Sequence, residues 1–82
     1  MMISTKGRYA LRIMLDLSQH REDGYISLSK ISQRQGISVK YLEAIISVLN
    51  KAGMVESQRG KEGGYKLTKE PEEYSVGSIV KL

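Results

Sequence analysis

The side chains in this sequence that could do chemistry bind charge rather than break bonds. Lys40, Glu43 and Ala44 recur at the spacing of one helix face, with Ser47 one turn further on. A lysine there can donate to guanine O6/N7 or to a phosphate, and an alanine methyl can touch a thymine methyl. Glu43 is the informative member, because an acid on a face that approaches a polyanion is unfavourable unless it accepts from cytosine N4. Its i−4 and i+4 positions are Val39 and Ser47, so no basic residue stands at pairing distance on a helix. We read Glu43 as a specificity element. Arg59-Gly60-Lys61 lies in a glycine-rich stretch and can enter a minor groove, where narrow A·T tracts concentrate negative potential. An ordinary basic turn is the simpler alternative for it. Lys6, Arg8 and Tyr9 open a first helical stretch, whose free N–H groups favour a phosphate. Tyr9 and Tyr41 offer phosphate-contacting hydroxyls, with core packing the equal alternative for Tyr9.

Bond-breaking chemistry has little to work with. The 82 residues contain no cysteine, so thiolate nucleophiles, disulfides and cysteine-ligated clusters cannot come from them. There is one histidine, His20, read as a partner for the dipole at a helix C-terminus. Neither a Ser/His/Asp set nor a pair of acids on a common face is evident, and an enzyme is the least supported class. Gly60-Lys61 is not a phosphate-binding loop, since the G-x-x-x-x-G-K-[ST] run is absent. Apolar runs fall well short of the ~20 residues that span a bilayer, and a secretory leader is absent, so a cytoplasmic location is expected.

The charge is localised. Formal net charge is +4, but residues 24–69 hold eight basic side chains against three acidic ones, an excess of +5. Residues 70–82 are acidic. The middle of the chain is therefore the segment expected to face a polyanion.

Those residues need elements to position them. Ser4 and Thr5 are candidate N-caps for a helix to about Gln19, with Ala10, Leu11, Met14, Leu15 and Leu17 as its apolar stripe and Ile13 widening it. Its polar face carries Lys6, Arg8, Arg12 and Asp16. Arg21 to Gly24 reads as a turn and Tyr25-Ile26 as a very short extended piece. Ser27 caps a second helix, Leu28 to Gln35, which Gly36 ends. After Ile37, Ser38 caps a third helix to about Ala52, with Leu42, Ile45, Ile46 and Leu49 facing inward. The stretches 54–59 and 65–68 alternate as strands around the turn 60–64, where Gly60, Gly63 and Gly64 supply positive φ. Tyr25-Ile26 could add a third strand. Residues 70–73 are a loop, and Ser75 caps a last helix with Val76, Ile79 and Val80 at helical spacing. Because so short a helix is marginal alone, the chain is expected to be a fragment cut inside a longer one.

Two helices joined by a Gly-containing turn of about three residues make a helix-turn-helix, and the hairpin that follows makes it winged. Ser32 is small, as close helix crossing requires. The expected class is a mainly α fold with a small β-hairpin wing (α+β), forming one domain over residues 1–82. A recognition helix puts its N-terminal residues into a major groove about 12 Å wide.

Specific runs then resemble the Rrf-type winged-helix repressors. They are Ile3 to Leu11, Gln35 to Glu43, Leu49 to Gly53, and the wing from Arg59-Gly60 through Gly63-Gly64-Tyr65-Lys66-Leu67. This resemblance implies a homodimeric bacterial transcription factor on pseudo-palindromic double-stranded operators, acting in iron–sulfur, cysteine or nitric-oxide homeostasis. It also implies that Glu43 reads bases, that Arg59 inserts into the minor groove, and that Ser38, Tyr41 and the start of the first helix, with Ser4, contact the backbone. Lys40 and Ala44 depart from the side chains of the iron–sulfur regulator of the family, so its operator sequence does not transfer. A long dimerisation helix is expected beyond Leu82. Cysteines there would give the full-length protein an iron–sulfur cluster, for which this chain has no ligands. The competing reading is a winged-helix protein-interaction module, which the basic outward face and Glu43 disfavour.

Overall fold

Local signals set the helices, and a computed structural model shows them in place. It describes residues 4–60, 63–75, 77 and 79. Helix α1 runs Thr5–Gln19, α2 Leu28–Gln35 and α3 Val39–Lys51. Each begins on a serine whose hydroxyl oxygen accepts from the backbone three residues on: Ser4 from Gly7, Ser27 from Lys30 and Ser38 from Tyr41. Such a cap satisfies an otherwise orphaned donor and contributes about 1 kcal/mol. Gly36 ends α2 at φ 67°, ψ 30°, a left-handed conformation in which a Cβ is disfavoured.

The hairpin pairs β1 (Val55–Gln58) antiparallel with β2 (Gly64–Leu67), in the register Val55↔Leu67 to Gln58↔Gly64. Ile26 forms an isolated bridge with Tyr65, each amide donating to the other's carbonyl at 2.9 and 2.8 Å. The expected third strand is thus one residue pair, and β2 lies between its two neighbours. The strands are shorter than the alternation suggested. Met54 donates its N–H back to Leu49, and beyond β2 the Thr68 amide donates to the Met54 carbonyl while its hydroxyl donates to the Gly53 carbonyl. Residues 70–73 are more than a loop, since Pro71–Glu73 form a 3-10 turn, as do Arg21–Asp23.

The core gathers Ala10, Ile13, Met14 and Leu17 of α1, Ile31 of α2, and Leu42, Ile45, Ile46 and Leu49 of α3. Ile26, Ile37, Val55, Leu67 and Ile79 close it. Burying each Leu or Ile stabilises by about 1.5–3 kcal/mol, which is how a thin core holds three helices. Two expectations for α1 are corrected. Leu15 is 58% exposed, because at 3.6 residues per turn it points away from the Ala10–Ile13–Leu17 stripe. Asp16, placed on the polar face, is 1% exposed. Of the expected last helix, Gly77 and Ile79 are helical and Ile79 donates to the Ser75 carbonyl; Val76 and Val80 lie outside the described residues. No helix among the described residues is long and apolar enough to cross a membrane.

Candidate nucleic-acid interface

Helix α3 separates its two faces cleanly. Leu42, Ile45, Ile46 and Leu49 are buried, while Lys40, Glu43, Ala44 and Ser47 are all exposed together on the opposite side. Among the described residues Glu43 has no ion-pair partner, so its carboxylate is available to a ligand. The Ser38 hydroxyl, though it accepts from Tyr41, keeps its own proton to donate; Ser4 stands likewise at the start of α1. Lys6 and Arg8 are exposed in the first turns of α1.

Tyr9 and Tyr41 meet edge to face, with ring centroids 5.3 Å apart at 87°. Tyr9 is half-buried against the core, so the packing role is real; Tyr41 remains 37% exposed. This contact joins the start of α1 to the first turn of α3, two places the sequence treated separately.

The wing carries exposed Arg59, followed by Gly60 at φ 117°. With Gln58 and Gly63 they face Ser27, the cap of α2, and Lys30 within it across an open groove of about 700 Å³. Lys61 lies outside the described residues. Gly63 does not have positive φ, contrary to expectation. Its need for no side chain is steric, since a Cβ would sit 2.2 Å from the Gln58 carbonyl oxygen.

Sequence reasoning missed what holds this surface rigid. The buried Asp16 carboxylate accepts from Arg34 Nε and Nη2 at 2.9 and 2.7 Å and from Gln35 Nε2 at 2.9 Å. Burial pushes this acid up, but the hydrogen bonds from Arg34 and Gln35 and the Arg34 and His20 charges outweigh it and hold Asp16 below its ordinary value. The hydrogen bonding to Asp16, with the Asp16 and Asp23 charges, in turn raises Arg34. His20 Nδ1 lies 2.9 Å from the Asp16 carbonyl oxygen at the end of α1, close to the expected dipole role. Beside the network, the Ser32 hydroxyl donates to the Ile37 carbonyl at 2.6 Å across the turn, a bond its small size alone did not announce. The pairing also changes the charge accounting. Arg34 is held by Asp16 and Lys66 lies 3.4 Å from Glu56, so two cations of the basic segment already have acidic partners.

Comparison with known proteins agrees with this architecture. The profile of the Rrf2 family, described as an iron-dependent transcriptional regulator, matches residues 3–82. The HTH-type transcriptional regulator IscR of Aliivibrio salmonicida is 49% identical over 80 residues, covering 98% of this chain and 48% of that protein. Protein rrf2 of Nitratidesulfovibrio vulgaris is 46% identical, again over 98% of this chain and 53% of that protein. Among solved structures, IscR of T. potens superposes with a TM-score of 0.90 at 49% identity, covering 99% of this chain and 59% of that one. CymR of B. subtilis, the global cysteine regulator, superposes at 0.93 with 44% identity, covering 99% and 63%. The chain spans about half the length of the curated relatives it matches. The A. salmonicida relative is named as a transcriptional regulator and CymR as a regulator, and none of these relatives is named as an enzyme. With the winged helix-turn-helix matched end to end and the family profile covering nearly every residue, this chain belongs to the Rrf2 family of transcriptional regulators.

Proposed function

We propose that this chain is the sequence-specific DNA-binding domain of a bacterial Rrf2-type regulator. The recognition helix, residues 38–52, enters the major groove and the wing, residues 59–64, the minor groove. The observation that carries this reading is the outward set Lys40, Glu43, Ala44 and Ser47 on a helix whose other face is wholly buried. Lys40, Glu43, Ala44 and Arg59 read bases. Ser4, Lys6, Arg8, Tyr9, Ser38, Tyr41, Gly60 and Lys61 hold the backbone. The intact regulator acts as a cytoplasmic homodimer and represses genes of iron–sulfur, cysteine or redox homeostasis.

The family's iron dependence finds no ligand set in this chain. It has no cysteine and one histidine, and no group of three or more His, Asp or Glu gathers among the described residues. The residues present do not fit a cluster, so no step of DNA binding runs through one. A cluster in the intact regulator takes its ligands from elsewhere.

The test is binding to labelled duplexes at rising salt. Each neutralised phosphate contributes about −0.9 to the slope of log K against log salt. Three contacts per domain weaken binding about forty-fold between 50 and 200 mM KCl. A chain that binds no duplex, or binds with no salt dependence, overturns the reading. Glu43→Ala is expected to relax base preference more than affinity. Selection from a random duplex pool checks this, and an unchanged consensus would remove Glu43 from base readout.

A further inference from the structure

The basic side chains fall into two groups. Arg21, Arg34 and Lys66 each have a carboxylate partner, whereas the other described lysines and arginines, Arg12 among them, have none among the described residues. Within the second group Arg12 differs, because its guanidinium is already fixed. Its Nε–H donates to Gln35 Oε1 at 3.2 Å and its Nη2 to the Gln35 carbonyl oxygen, at the C-terminal end of α2. Its Cζ stands 5.3 Å from the centroid of the Tyr9 ring, whose edge contact is Tyr41. Gln35 is itself held by the buried Asp16. An exposed cation is thus locked beside the first turn of the recognition helix.

A guanidinium has five N–H donors, and Gln35 takes two. Three remain, in the planar geometry that matches a phosphate. An arginine that only capped α2 would not need to stay exposed with three donors unused, 5.3 Å from the Tyr9 ring. We propose that Arg12 is a pre-oriented contact for a DNA phosphate that flanks the groove occupied by α3. The inference rests on the DNA-binding reading and adds to it a residue outside the set named above. Because the rotamers of Arg12 are restricted before binding, the contact loses less side-chain entropy than one from a free lysine.

The test uses the whole chain and a fluorescein-labelled 24-bp duplex of mixed sequence, titrated between 50 and 200 mM KCl. Arg12→Gln is expected to weaken binding three- to ten-fold and to make the log–log slope shallower by about 0.9, equally on any sequence. Arg12→Lys restores the slope but only part of the affinity, because an ammonium cannot fill the fork at Gln35 and meet a phosphate together. An Arg12→Gln slope equal to wild type overturns the inference and leaves Arg12 a helix strap. A measurement on the unaltered chain is independent of any variant: guanidinium nitrogen signals of Arg12 shift on adding duplex, while those of Arg21 and Arg34, held by Glu70 and Asp16, do not. Unmoved Arg12 signals in a chain that binds the duplex also overturn it. A wild-type chain that does not bind at all fails at the level of the proposed function instead.

Discussion

Asp16→Ala is expected to destabilise the domain by about 3 kcal/mol. The carboxylate is 1% exposed and receives three hydrogen bonds, two of them from one guanidinium. Removing it leaves the Arg34 charge only 31% exposed and unpaired. Breaking a buried pair on one side costs about 3–5 kcal/mol, and the partial exposure of Arg34 puts this case at the lower end. A domain of this length has a total stability of roughly 4–12 kcal/mol, so the loss is a large share of it. Thermal melting at pH 7 should show a midpoint lower by about 12–24 °C. A fall of under 3 °C would mean that the pair is not formed in solution.

The same residue predicts a pH dependence. Its folded pKa lies below the ordinary 3.8, so the unfolded chain binds the proton more readily. The stabilisation is then complete above about pH 4 and is lost as pH falls through the folded value. The gap in midpoint between wild type and Asp16→Asn, measured with His20→Gln in both proteins, should be constant from pH 7 to 5 and close below pH 4. Taking the difference removes the other carboxylates, which titrate in both proteins. A gap that persists unchanged to pH 2.5 would assign the stabilisation to shape rather than charge.

Gly64→Ala is the second large effect expected. A Cβ at this position would sit 2.3 Å from both the carbonyl carbon and oxygen of Ile26, at a φ of 156°. Both objects are backbone, so no side-chain rotation relieves the clash. Overpacking costs about 1–3 kcal/mol and a backbone angle that only glycine readily adopts about as much again, giving roughly 3 kcal/mol together. The damage should be local as well as global. The reciprocal hydrogen bonds of Ile26 and Tyr65 are adjacent, so their amides should exchange with solvent faster in the variant than those of α3. Gly36→Ala is the comparison. There φ is 67° but a Cβ meets nothing within 4 Å, so only the left-handed strain remains, about 1–2 kcal/mol. Equal losses at the two positions would show that the close approach of β2 to Ile26 is unimportant.

Much of this was legible in the residues because the signals are local. Three serines marked three helix starts and Gly36 marked a stop, each acting through its own backbone neighbours. The inward positions of α3 followed from period alone, and so did its outward face. Leu15 shows where periodicity misleads: it stands four residues from the half-buried Leu11 and fits the helical period, yet it lies past the edge of the stripe, and period alone does not say where that edge falls. Asp16 fails for another reason. An acid with no visible partner is assigned to water, and its partners here are on α2, brought to it only by tertiary packing. Arg12, Gln35 and the Tyr9–Tyr41 contact were hidden in the same way. For Gly63 the residue type was read correctly and its cause was not, since no sequence pattern reveals that a carbonyl passes within contact distance.

The bridge between Ile26 and Tyr65 sets an order of assembly. Helix α2 packs on α1 and α3, its neighbours in sequence, and the hairpin closes over a handful of residues. Sealing β2 to Ile26 instead closes a loop of roughly forty residues, whose entropy scales as about (3/2)RT ln n and comes to ~3 kcal/mol. That cost is recovered only after the intervening helices have packed. Strand β2 is therefore held to the rest of the fold across long sequence separations, at Ile26 and on α1, so its position depends on the helices beneath it being assembled.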